Sequence, residues 1–151
     1  MFVRLALESE RDKVVELCRQ AVVESVRGIE PDVAVIGETF DAYLASADPT
    51  FFVVDQRNEP IAFLMATIGG YPFAAGIYTT QQVMFVRPDK RGTRAAALLI
   101  QELIAWSTRL GALEITGGNN NGLHTERTTR FLEKHGFEQT GVFMRRPGVR
   151  T

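Results

Sequence analysis

One cysteine, Cys18, and two histidines, His124 and His135, are all that this 151-residue chain holds of the thiols and imidazoles that staple or metallate small proteins. A lone thiol excludes an internal disulfide. No Cys/His cluster has metal-ligand spacing, so no metal is expected and a reducing, cytoplasmic compartment fits best. An excess of one charge is also missing. The net charge is −1 and the pI about 6.1, which gives no reason to expect nucleic acid as a partner. No signal peptide is expected, because the apolar stretch from Phe2 to Leu7 is short, Arg4 interrupts it, and Glu8 and Glu10 follow. No charged residue lies between Ile61 and Val86, yet Gly69-Gly70, Pro72 and Gly76 break that stretch and Thr79-Thr80-Gln81-Gln82 makes it polar. Two buried strands around a Gly/Pro loop account for it better than a membrane span.

What is present is ordinary for a globular chain: 45% hydrophobic and 23% charged residues, which excludes disordered, collagenous and coiled-coil classes. No linker, repeat or low-complexity tract divides the sequence, and its length fits one domain over residues 1–151. Phe2 to Leu7 alternates as a half-buried strand does. Val14, Cys18, Ala21, Val22 and Ser25 fall at helical spacing, with Ser9 as N-cap and Gly28 and Pro31 beyond the end. Phe40, Tyr43 and Leu44 predict a second short helix that stops before Pro49. Phe51 to Asp55 and Ile61 to Ile68, joined by Arg57-Asn58-Glu59-Pro60, predict a hairpin. After a loop from Gly69 to Gly76, Gln82 to Val86 reads as a third strand. Ala96, Leu99, Ile100, Leu103, Ile104, Ser107 and Leu110 form the strongest helical stripe, over Ala95 to Leu110, with Gly111 as its stop. Leu113 to Thr116 is a short strand, which completes a βαβ unit with parallel strands and a right-handed crossover. Gly117 to Gly122 is a loop holding Asn119-Asn120-Asn121, Thr125 to His135 a last helix, and Val142 to Arg146 a last strand. The sum is a mixed α/β sheet with helices on both faces.

The chemically informative stretch runs from Val83 to Leu99: an apolar strand, a basic turn with a glycine, then a helix of small residues. The first turn of a helix has unpaired N–H groups and the positive end of its dipole, a combination that binds phosphate. Arg87, Lys90, Arg91 and Arg94 add cations, and Ala95, Ala96 and Ala97 keep the backbone open to a ligand. On charge alone, a solvated basic turn before an ordinary helix explains the same residues.

The order of elements resembles the GNAT superfamily of acyl-CoA N-acyltransferases. Val86-Arg87-Pro88 matches the lead-in of the family's motif A. Arg91-Gly92-Thr93-Arg94-Ala95-Ala96 matches its Arg/Gln-x-x-Gly-x-Gly/Ala at Arg91, Gly92 and Ala96, and departs at Arg94, where the family prefers glycine. Arg130-Phe131-Leu132-Glu133-Lys134-His135-Gly136-Phe137, with Gly141-Val142-Phe143 after it, resembles the family's last helix and its Gly-Phe exit. The resemblance implies a mixed, mostly antiparallel sheet with a splayed parallel strand pair. It implies acetyl-CoA as co-substrate, with the backbone of Phe85 and Val86 on the pantetheine arm and Arg91, Gly92, Thr93, Arg94, Ala95 and Ala96 around the pyrophosphate. Thr125 would reach the pantetheine. The reaction is then direct attack by a primary amine on the thioester.

Many relatives in this family carry a tyrosine as acid at the position of Leu132, which cannot donate a proton. His124, at the start of the last helix, and Tyr78, before the third strand, are the substitutes by position. Glu114 is an exposed strand residue or a notch carboxylate, and His135 a helix-end charge. Tyr71 and Phe73 wall the acceptor or plug the core. Glu24, Glu30, Asp32 and Glu38 are an acidic acceptor mouth or a solvated loop, and Cys18 is core. Two functions stand side by side: an N-acetyltransferase acting on a small-molecule or protein amine, and a binding or structural protein of the same fold that does not turn over. Only one strand follows the last helix, which leaves room for a homodimer that completes the sheet.

Overall fold

Two consecutive residues at positive φ, Arg57 (55°) and Asn58 (63°), close the central hairpin, and the Asp55 carboxylate accepts the Asn58 N–H at 2.9 Å. This is the turn geometry whose twist suits antiparallel strands. The computed structural model describes residues 1–46, 50–119 and 121–148; Pro49, Asn120 and the extreme C-terminus lie outside them. Around the hairpin the sheet runs in the order β1 (Phe2–Leu5), β2 (Thr50–Gln56), β3 (Glu59–Gly70), β4 (Ile77–Val86) and β5 (Glu114–Thr116). Neighbours pair antiparallel except β4 and β5, which are parallel. The helices are α1 (Arg11–Ser25), α2 (Val33–Ala45), α3 (Ala95–Arg109) and α4 (Thr125–Glu133). The chain falls into two compact units, Met1–Gly117 and Gly118 onward.

In the first unit, strand alternation loads both faces of the sheet. Phe51, Val53, Phe63 and Phe85 pack with Val14, Leu17, Cys18 and Ala21 of α1 and Phe40 of α2. Their rings form a file: Phe40 meets Phe51 edge-on at 5.3 Å, Phe51 stacks on Phe63 at 5.3 Å, and Phe63 lies 6.1 Å from Phe85. The alternate residues face α3, where Phe52 meets Trp106 at 5.9 Å and Leu99, Ile100 and Leu103 are fully buried. The buried stripe of α3 is rotated from the sequence reading: Ala95 and Trp106 are in it, while Ala96 and Ile104 are half-buried and Leu110 is exposed. Cys18 is a core residue whose thiol burial pushes up to about 12.

Three expectations need correction. Ser9 is not a cap: a short 3₁₀ turn over Glu8–Glu10 precedes α1, and the Glu10 carboxylate takes the Leu7 N–H at 3.0 Å. β4 starts at Ile77, not Gln82, so Tyr78 lies inside it. No strand forms over Val142–Arg146; Val142, Phe143 and Met144 are exposed and no ladder supplies their hydrogen bonds. In the second unit, α4 ends in a turn closed by Gly136 at φ +89°, where the N–H groups of His135 and Phe137 both reach the Leu132 carbonyl.

Arg4 ties the first strand to the rest. Its guanidinium bonds Glu10 at 2.8 Å and Asp55 at 2.8 Å, with all three side chains largely buried. Burial pushes the Glu10 carboxyl up, but hydrogen bonds from Arg4 and the Leu7 N–H outweigh it and hold the group below its ordinary value. Arg4→Met leaves two carboxylates without their cation and is expected to cost about 3 kcal/mol in urea unfolding at pH 7. In the wild type, the Glu10 contribution is complete above the unfolded carboxylate value of about 4.3 and fades as pH falls toward the lower folded value. In Arg4→Met that acid-side loss should vanish; an unchanged acid limb would contradict the assignment.

Candidate active site

The candidate site begins at an irregularity. Met65 pairs with Val83 and Ala66 with Gln81, which leaves Gln82 with no partner on β3. This is a β-bulge, and it inverts the alternation of β4. Thr79 faces α3, buried with its hydroxyl 2.6 Å from that of Ser107. Phe85, six positions on, would face the same way in a regular strand but instead packs against the α1/α2 core.

The pairing with β5 ends just before the bulge. Tyr78, Thr79 and Thr80 pair with Glu114, Ile115 and Thr116, and β5 then stops. Beside the stop, the Gln81 side chain lies where a Cβ on Gly117 would come within 3.0 Å of its Oε1. From Gln81 to Val86, a stretch of about 20 Å, β4 has β3 on one side and no strand on the other among the described residues.

Which backbone groups face the open side follows from one bond. The Arg87 N–H donates to Ile61 O at 2.9 Å. In an antiparallel pair the direction alternates, so Phe85 and Val83 turn their N–H and C=O to β3, while Val86 and Met84 turn theirs outward. The expectation for Phe85 is thereby corrected, since its backbone is taken by β3, and Met84, which the sequence reading did not single out, presents the outward pair next to that of Val86. The strand period points it out once the register is known.

β4 runs directly into the basic turn. A 3₁₀ turn over Pro88–Lys90 is followed by Gly92 at φ +81° and then α3. Thr93 braces this loop: its hydroxyl donates to Lys90 O at 2.7 Å and accepts the Ala95 N–H at 3.3 Å. Leu98 N–H to Arg94 O, at 3.0 Å, is the first bond of the helix, so the N–H groups of Ala96 and Ala97 point out of the first turn without a helical acceptor. No Cβ obstacle lies within 4 Å of Gly92.

The cations are not equally free. Arg87 is bound to Asp89 at 2.6 Å, which holds the Asp89 carboxyl below its ordinary value. Arg94 donates to Met1 O at 3.1 Å. Arg91 pairs with Glu24, lies 5.4 Å over the Phe85 ring and donates its Nε–H to the outward carbonyl of Val86 at 3.1 Å. Lys90 makes no ion pair among the described residues.

Other expected residues separate. Asp32 is the N-cap of α2, accepting the Ala34 and Val35 N–H groups at 3.0 and 3.2 Å, and Glu24 pairs with Arg91, so of the four exposed acids two are committed to structural bonds. Phe73 is 98% exposed and plugs nothing. Tyr71 donates to Glu114 at 2.7 Å and meets Tyr78 edge-on at 5.3 Å. In the second unit, His124 is the N-cap of α4, in the left-handed region at φ +50°, and makes no side-chain cap bond. It lines an open depression of about 660 Å³ with Thr125, Arg127, Arg130 and Phe131. Leu132 is buried. The His135 ring sits against Phe131 O at 2.9 Å. Among the described residues no group of His, Cys, Asp and Glu has the makings of a metal site, and no helix is long and apolar enough to cross a membrane.

A family model described as the acetyltransferase (GNAT) domain matches residues 47–139. The chain belongs to the GNAT acetyltransferases. Solved structures agree in fold at low identity. The aminoglycoside 6'-N-acetyltransferase AAC(6')-IG from Acinetobacter haemolyticus is 17% identical with a TM-score of 0.77, covering 100% of both chains. AAC(6')-Iy, bound to a CoA-S-monomethyl-acetylneamine bisubstrate analogue, is 19% identical with a TM-score of 0.76 over 97% of each chain. A transcriptional regulator from Bacillus halodurans C-125 shares the fold equally, 18% identical with a TM-score of 0.76 over 95% of this chain and 97% of its own. A search of curated protein sequences finds no match.

For this GNAT chain, the bulge is the feature to test first. Deleting Gln82 restores regular pairing and drives either Thr79 or Phe85 to the wrong face. The expected cost is at least about 3 kcal/mol, the scale of a lost core aromatic. Gln82→Ala keeps the residue count and loses only the side-chain bond to Thr67, at 3.1 Å, so it should stay within about 1 kcal/mol. Urea unfolding of both variants checks this; a deletion as stable as the wild type would contradict it.

Proposed function

We propose that this acetyltransferase holds acetyl-CoA along the open edge of β4 and the turn that follows, and passes the acetyl group to a primary amine by direct attack. The observation that carries this reading is the outward N–H and C=O pairs of Met84 and Val86, which lead straight into a braced helix N-terminus. The residues fit the ligand. A pantetheine arm is a chain of amides and can pair with β4 as a missing strand does. A pyrophosphate suits Gly92 to Ala97, with the free N–H groups of Ala96 and Ala97, the helix dipole and Lys90 beside them. Arg91 occupies the Val86 carbonyl in the free protein and must swing off it when the arm pairs; its guanidinium reaches phosphate only by also exchanging Glu24 for that partner. Arg94 is anchored on Met1 and serves the turn as a brace; its replacement of the family's glycine is thus accommodated without crowding the helix end.

The chemistry needs little more than placement. A neutral amine nitrogen attacks the thioester carbon, the carbonyl oxygen takes the charge, and the thiolate leaves with the acetyl–nitrogen bond formed. Holding both reactants in line supplies most of the acceleration, and outward backbone N–H groups of β4 are the oxyanion donors at hand. Leu132 removes the usual proton donor to the thiolate. We assign proton transfer to His124, which the exposed opening of α4 and its uncommitted ring support, and contact with the pantetheine to its neighbour Thr125. We further take both units together as one acetyltransferase domain, acting in the cytoplasm on a small-molecule or protein amine. The buried, lone thiol suits that compartment. The exposed apolar run Val142–Met144 suits a homodimer.

Two measurements test this. Gly92→Val forces a β-branched residue to φ +81°, costs about 1–2 kcal/mol in the turn, and should weaken acetyl-CoA by at least tenfold, about 1.4 kcal/mol, in calorimetry on the folded variant. Unchanged affinity would remove the turn from the site. His124→Ala should lower kcat by roughly 10²–10⁴-fold with acetyl-CoA affinity unchanged; a wild-type kcat would leave catalysis to positioning alone.

A further inference from the structure

Next to the point where β4 and β5 part, two tyrosines and a carboxylate are held in a fixed arrangement that the acetyl-CoA site does not use. Tyr78 and Glu114 are cross-strand partners on the last paired stretch. They lie on the sheet face opposite α3, because Thr79 between them and Thr80 points to Ser107. Tyr71 reaches over from the loop after β3, donates its hydroxyl to Glu114 Oε1 at 2.7 Å and sets its ring edge-on to Tyr78 at 5.3 Å.

Both rings are constrained. Tyr78 lies flat on its β3 partner Gly69, where an added Cβ would fall 2.3 Å from the ring. Tyr71 is locked by its bond to Glu114, which together with burial and the nearby charge pushes the phenol up to about 12. Glu114 is exposed and has no cationic partner among the described residues, unlike Glu24, Glu10 and Glu16 of the same unit. One carboxylate oxygen is engaged by Tyr71 and the other is open. An unpaired carboxylate beside two aromatic rings is the chemistry that recognises an ammonium ion.

The distance to the open edge is short. Two residues on, roughly 7 Å along the strands, the hydroxyls of Thr80 and Thr116 meet at 2.7 Å, and the gap opens at the next position. An ammonium seated at Glu114 therefore leaves a second nitrogen of the same molecule within reach of the gap.

We propose that Glu114, walled by Tyr71 and Tyr78, is the anchoring subsite for the acceptor and selects molecules with two amines: a distal ammonium bound at Glu114 and a reacting amine at the mouth of the gap. This rests on the acetyl-CoA placement above. It narrows the acceptor to di- and polyamines and makes Glu114 a specificity-determining residue. Glu114→Gln retains an oxygen to accept the Tyr71 hydroxyl and removes only the charge, so it separates the subsite from a purely structural role.

The test uses cadaverine against pentylamine, which share a carbon chain and differ in the second ammonium, each titrated calorimetrically into the wild type and Glu114→Gln at saturating CoA. The wild type should bind cadaverine at least tenfold more tightly than pentylamine. In Glu114→Gln that ratio should collapse to near one, while acetyl-CoA binds both proteins equally. Equal or absent binding of the two amines to the wild type, or a ratio that survives in Glu114→Gln, would overturn the subsite. Failure of acetyl-CoA to bind the wild type would instead overturn the placement on β4, and with it this inference.

Discussion

Gln82 has no partner on β3, and that unpaired residue lets one strand serve two cores. Before it, Thr79 turns to α3 and shares a hydrogen bond with Ser107; after it, Phe85 joins the aromatic file under α1 and α2. The same kink coincides with the end of β5 pairing at Thr80. β4 thus leaves the bulge with a bare edge, and its outward amides follow from the pairing of Arg87 with Ile61. An unpaired edge in a folded protein invites another strand. A ligand built of amides answers the same need, which is why the family's fold and its co-substrate suit one another physically.

The turn after β4 is organised by bonds that leave its backbone donors free. Thr93 bridges Lys90 and Ala95, Arg87 is neutralised by Asp89, and Arg94 is drawn to Met1. Charge was the sequence signal for phosphate, yet most of that charge holds the loop in shape. What stays outside these bonds is the open first turn of α3 and Lys90, while Arg91 rests on the Val86 carbonyl and Glu24. Positive φ at Gly92 is the one backbone demand in the loop that a side chain would violate outright.

Much of this was legible in the residues. The hairpin turn, the α3 helix and the parallel β4–β5 unit all rest on local patterns, and local patterns decided them, although the buried stripe of α3 is rotated from the one read. The bulge was not legible, because Gln81-Gln82 carries no composition signal for it and reads instead as the polar start of a strand. That reading also hid the start of β4, since Thr79 passes for a polar loop residue until Ser107 supplies its partner. Glu24 and Asp32 read as part of an acidic acceptor mouth or a solvated loop; one pairs with an arginine far along the chain and the other caps a helix. Val142 to Arg146 shows the opposite error. A short apolar run promises a strand, but a strand exists only where an edge receives it.

The account's central claim is that the outer edge of β4 is the acetyl-CoA edge. Residue-resolved amide hydrogen exchange with and without acetyl-CoA tests it most directly. The account predicts new protection at Met84 and Val86 and at the N–H groups from Gly92 to Ala97, with Phe85, already paired to β3, unchanged. Protection that appears elsewhere while Met84 and Val86 exchange as in the free protein would contradict it.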